Sequence, residues 1–136
     1  MRTTIPVRNA LLAANASYLD GVSGQATLEF YTGSRPISVG STPGGTLIGT
    51  VTLSRPGWQT PAGAVMDANS IVGDSSADNT GTIGCAVLRD SSGVICHDYT
   101  VTAVGGGGDI ELDTVGVVSG DPINITSLRH QQQEGT

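Results

Sequence analysis

Apolar positions along the chain fall into two regimes. From Val7 to Asp20, the residues Val7, Leu11, Leu12, Tyr18 and Leu19 recur at helical spacing over an Ala-rich stretch, which predicts one helix (7–20) stopped by Gly21. So short a helix needs a sheet or a partner to dock on, because isolated helices of this length are marginal in water. Beyond Gly24 the period falls to two. Short β-rich runs alternate with Gly, Pro, Asp and Ser: 26–32 with Leu28 and Phe30 on one face, 47–53 with Leu47, Val51 and Leu53 on one side, then 64–68, 82–89, 94–102, 109–112, 116–118 and 122–128.

Runs at this spacing predict a mainly β fold, an antiparallel β-sandwich of jelly-roll type with one short N-terminal helix. The whole chain, 1–136, has the size of a single domain: an N-terminal arm 1–6, the helix 7–20, the sandwich 26–128 and an exposed, Gln-rich polar tail 129–136. Segments 38–46, 54–63 and 73–80 are expected to be long surface loops. No internal repeat interrupts this order.

The runs 82–89 and 94–102 flank Asp90-Ser-Ser-Gly93 and predict a hairpin. A two-residue loop at Ser91-Ser92 would pair Arg89 with Val94, Cys85 with Asp98 and Val87 with Cys96. The two cysteines then share a face diagonally, beyond comfortable disulfide reach, and are expected to be reduced.

Composition narrows the function. The formal charge is −6, every basic residue is Arg, and charged residues make up only 13%. Phosphate-backbone binding needs clustered cations, so nucleic acid is not an expected partner, and a polybasic membrane attachment fails for the same reason. No apolar run approaches the length of a membrane span, and 10–14 is too brief for the core of a signal peptide, so the chain is expected to act or assemble in a cytoplasm. The sequons at Asn15 and Asn124 are then coincidences.

The candidate chemistry is thin. His97 lies on the strand face opposite to Cys96, which rules out a simple Cys–His couple there, and His130 sits in the polar tail. No catalytic residues, no metal ligands and no cofactor are therefore expected. Asp74 to Asn79 offers oxygens for calcium but lacks EF-hand spacing, so a cap and a turn are the simpler reading. Asp109, Glu111 and Asp113 share one face of a short strand, as on a solvated edge. Gly105 to Gly108 lacks the Lys of a phosphate-binding loop and is read as a flexible connection or a place of close backbone approach. Trp58, in a loop, either folds back onto the sandwich or anchors a partner. Arg35 and Arg55, each in a Ser-Arg-Pro context, are candidates for bridging to acidic edges of neighbouring copies.

The succession LEFYTGSRP at 28–36, GTLIGTVTLS at 45–54, DSSADNTGT at 74–82, LRDSSGV at 88–94 and DIELD at 109–113 resembles a family of small virion structural proteins of tailed bacteriophages and prophages. The likeness spans most of the chain. It implies a capsid decoration (cement) protein, with a tail or head–tail connector component as the alternative and a host-surface or carbohydrate-binding module beyond that. It also implies that the partners are the major capsid protein and further copies of the chain, a trimer suiting local three-fold positions, in a virion assembled in the host cytoplasm. The family brings no catalytic residues. The arm, the Trp58 loop and the tail are the expected contact segments, and Arg35, Arg55, Trp58, Arg129 and His130 are the expected contact residues.

Overall fold

The computed structural model describes residues 1–136 apart from Val22, Thr126 and Thr136. Helix α1 (Ile5–Asp20) precedes the strands β1 (Thr27–Thr32), β2 (Leu47–Leu53), β3 (Val65–Asp67), β4 (Ile71–Val72), β5 (Gly81–Arg89), β6 (Ile95–Ala103), β7 (Ile110–Leu112), β8 (Gly116–Val117) and β9 (Arg129–Gln131). The main sheet runs β4-β2-β1-β5-β6-β7, with β8 paired to the start of β5, while β3 and β9 form a separate two-stranded sheet. All pairs are antiparallel except β6 with β7. The fold is mainly β, with one helix and a curled mixed sheet that makes a half-barrel.

Bulges bend the sheet, because an extra residue on one strand raises the local twist. One falls between Phe30 and Tyr31, so that Phe30 faces Gly49 and Tyr31 faces Leu47. Leu47 thereby leaves the side of Val51 and Leu53 expected from strict alternation, and the fully buried Ile48 joins their cluster. The main core lies on one face of the sheet, around Leu28, Phe30, Val51, Leu53, Ile83, Ala86, Leu88 and Val101. Leu12 and Leu19 of α1, Trp58, Met66, Ile123, Ile125 and Leu128 complete it. Each such large side chain contributes roughly 1.5–3 kcal/mol on burial. A smaller cluster of Tyr31, Cys85 and Val87 occupies the other face.

The hairpin forms with a different register. Asp90 N–H donates to Val94 O and Gly93 N–H to Asp90 O, so the loop is Ser91-Ser92-Gly93, with Gly93 at φ +92°. Three-residue loops of this kind end on a left-handed residue, which Gly adopts without strain. Asp90 Oδ1 holds the loop through the Ser92 and Val94 amides and the Ser92 hydroxyl. A bulge between Leu88 and Arg89 shifts the pairing again, so Cys85 faces Thr100, Val87 faces Asp98 and Arg89 faces Ile95. The expected sharing of a face by the two cysteines is thus corrected: Cys85 belongs to the smaller cluster and Cys96 packs against the main core, both as free thiols.

Segment 104–109 returns the chain from β6 to the parallel β7, where such crossovers usually take a dozen or more residues. The glycine run makes this possible. Gly105 and Gly107 have φ of +89° and +80°, and a Cβ on Gly106 would lie 2.7 Å from Thr102 Cβ.

Both termini depart from expectation. The helix begins at Ile5, inside the expected arm, with Pro6 in its first turn, where its missing N–H costs nothing. The tail contains β9, which pairs Val65, Met66 and Asp67 with Gln131, His130 and Arg129. Glu134 O accepts from Thr3 N–H at 2.8 Å, so arm and tail lie together. The expected strand 122–128 is reduced, in its described residues, to an isolated bridge between Ile123 and Asp74.

Candidate functional site

The polar side chains most concentrated in one place lie where α1, β6 and β9 meet. Period two along β6 turns His97 and Tyr99 toward the main core, opposite Leu88 and Ala86. Strand β9 delivers His130 from the far end of the chain. The His130 ring lies 4.5 Å from the Trp58 ring, 4.8 Å edge-on from His97 and 5.9 Å from Tyr99 in a stack. The Tyr99 hydroxyl and His130 Nε2 are hydrogen-bonded. Asn15 Nδ2 on the helix meets His97 Nε2 at 2.9 Å.

These surroundings keep both imidazoles neutral. Burial, reinforced by the neighbouring His97, pushes His130 down to about 4. Burial also lowers His97, with Asp98 opposing it. The Tyr99 hydroxyl is pushed up by burial, then by Asp109. An open groove beside the cluster is lined by Leu11, Leu12 and Asn15 of α1, by His97, Asp98 and Tyr99, and by Asp109 and Arg129 to Gln133. Neither histidine is placed to activate a thiol: the Cys96 sulfur donates to Val94 O. Among the described residues no three His, Cys, Asp or Glu side chains converge to hold a metal.

Of the expected contact residues, two are in the interior. Trp58 is 6% exposed and folds back onto the core, and His130, expected in an unordered tail, is half-buried against it. The arginines are engaged within the chain. Arg55 donates to the carbonyls of Asp20, Gly21 at 3.1 Å and Gly24 at 2.9 Å, capping the negative end of α1. Arg35 reaches Asp98 at 3.5 Å and Asp109 at 3.9 Å. Arg129 grips Asp67 with two hydrogen bonds of 2.6 and 2.9 Å and lowers its pKa. Elsewhere Arg89 pairs with Glu29 at 2.6 Å and Arg2 with Glu134 at 3.7 Å.

The loop carboxylates are similarly occupied. Asp74 accepts from the Ser76 amide in a local turn and from the Thr50 amide of β2, and no helical turn follows for it to cap, while Asn79 donates to Leu47 O. Glu111 Oε2 takes the amides of Gly105 and Gly107, so the glycine run binds a carboxylate of its own chain. Asn15 of the first sequon is bound to His97 within the helix, and Thr126 of the second lies outside the described residues.

Several large apolar side chains nevertheless stand in solvent. Ile37 and Val39, on the loop between β1 and β2, are fully and mostly exposed, and Ile5, Val7, Leu11 and Tyr18 face solvent from α1. No helix among the described residues is long and apolar enough to cross a membrane. Comparison with protein-family models, curated proteins and solved structures finds no match to this chain.

The His97–Tyr99 pair was legible as two residues on one face of one strand. Its meeting with His130, Trp58 and Asn15 was not, because no local pattern announces β9.

Proposed function

We propose that the protein is a structural component of a bacteriophage virion, a capsid decoration (cement) protein that binds the head surface and copies of itself. The observation that carries this reading is the division of labour among side chains. Five of the six arginines are engaged within the chain, while exposed apolar residues stand on the helix and on the loop between β1 and β2. Apolar groups left outward while the cations are engaged internally suit a part that meets other proteins. Many copies then multiply a modest contact by avidity.

The likeness of the sequence blocks to small phage virion proteins supports the same reading. So does the tight tying of arm, tail and loops, which suits a rigid repeated part. We read the scaffold as a sandwich of jelly-roll type: the β3–β9 sheet, through Met66, and α1 together cover the main core from the side opposite the large sheet. We read the chain as non-enzymatic, without cofactor, and without nucleic acid or membrane as partner. Its neutral histidines, bonded to Asn15 and Tyr99, support that, as does the engagement of its cations.

A tail or connector component is the second assignment within the same class. The groove along α1 and β9 favours a third, a carbohydrate-binding module, because Asn15, Asp109 and Gln131 to Gln133 line it with polar groups suited to hydroxyls. Mass spectrometry of purified virions decides among them. Hundreds of copies per particle are expected; about a dozen would move the protein to the connector, and absence from particles would overturn the virion reading.

A further inference from the structure

The outward face of α1 carries no charge. Its exposed residues are Ile5, Pro6, Val7, Ala10, Leu11, Ala13, Ala14, Ser17 and Tyr18, whereas Arg8, Asn9, Asn15 and Asp20 are all half-buried. A surface helix ordinarily turns charged side chains to water. Here Leu12 and Leu19 fix the inner face in the core, and a second apolar stripe, Val7, Leu11, Ala14 and Tyr18, runs at spacings of four, three and four along the outer one.

We propose that this stripe is the interface between two copies of the chain, α1 packed antiparallel on α1 about a two-fold axis. The stripe is complementary to itself. With the axis between Leu11 and Ala14, Leu11 of one copy lies over Ala14 of the other and Val7 lies beside Tyr18, so bulk meets a small residue at the centre of each half. Antiparallel packing also opposes the two helix dipoles.

Charge points to the same occupant. A chain of net charge −6 repels its own copies over most of its surface, and this neutral face is where two can meet without that cost. The area is adequate. Val7, Leu11 and Tyr18 are 49–62% exposed. With the alanines between them, two copies would bury on the order of 1,000 Å² in total, the lower bound for a specific interface.

The pairing supplies a surface for the self-association that the assembly reading invokes, and rests on that reading only for its purpose. Sedimentation of the full chain at about 100 μM tests it directly. The expected mass is twice 13.7 kDa, falling to one chain for Leu11→Glu and for Tyr18→Glu, with far-UV circular dichroism unchanged because both side chains are exposed. A Leu11→Cys/Ala14→Cys variant, oxidised, should give a covalent dimer whose linked peptides join position 11 to position 14. That readout stands even if a glutamate variant fails to fold. A monomeric wild-type chain, a trimer, a dimer indifferent to Leu11→Glu, or cross-links that avoid position 14 would each overturn the proposal. A solution dimer that is absent from virions would overturn the assembly reading and leave the interface standing.

Discussion

The Trp58 indole and the His130 imidazole lie 4.5 Å apart, tilted by 32°, one from the loop after β2 and the other from the last strand. Their contact fastens the two-stranded β3–β9 sheet. Trp58 bridges to Ala68 beside β3, and His130 sits in β9, which pairs with β3. The stack therefore joins the small sheet to the core.

Removing the indole should loosen that small sheet. Trp58→Ala is expected to cost about 3–5 kcal/mol in urea unfolding, the range for large aromatic truncations in cores. Trp58→Phe should cost much less, because the Trp58 Nε1 is buried without a hydrogen-bond partner and its loss removes a desolvated donor. Equal losses in the two variants would show that a smaller aromatic ring cannot hold the site and that the full volume of the indole is needed.

Stability should fall with acid through the same cluster. His130 is pushed down to about 4 in the folded protein, and His97 is lowered too, against an ordinary value of 6.5. The folded state then binds fewer protons than the unfolded chain below pH 6.5. The contribution is complete above that pH and is lost as pH drops toward 4, by as much as roughly 3 kcal/mol for His130. Unfolding free energies measured from pH 7.5 to 4 should show this slope, and His130→Gln should flatten it whatever its own stability at neutral pH. A slope unaltered by His130→Gln would assign the acid sensitivity to the carboxylates.

The sequence carried the large elements because their signals are local. Strand β2 falls where alternation put it, and Leu28 and Phe30 share the core face as period two requires. What it concealed depends on contacts between distant segments. The register of β5 with β6 was missed because the Asp90 side chain and a bulge add residues that alternation cannot count. Strand β9 was missed because Arg129 and His130 look like a solvated tail until Asp67 and Trp58 are brought beside them. The candidate contact residues failed similarly: an arginine reads as free in sequence when its partner, such as the end of α1 for Arg55, is supplied by the fold.

The glycine connection between β6 and β7 should depend on Glu111. Its carboxylate collects the Gly105 and Gly107 amides, and Glu111→Gln replaces a charged acceptor with a neutral one. Amide hydrogen exchange at Gly105 and Gly107 is expected to quicken about tenfold, with core amides of β5 unchanged. Exchange that stays slow would mean that the crossover is held by its close packing on Thr102 alone.

The thiols give a direct test of the hairpin register. With Cys85 fully buried beneath the sheet's second face and Cys96 half-buried against the main core, no disulfide can join them. Burial raises both thiol pKa values, so alkylation at pH 7.5 should be slow at each. Cys96 is expected to react first and Cys85 only on unfolding, giving one modified site by mass spectrometry in native buffer and two in urea. Had the hairpin closed on a two-residue loop, the cysteines would share a face and their protection would be similar. Equal native rates, or a disulfide between them under mild oxidation, would overturn the bulged register.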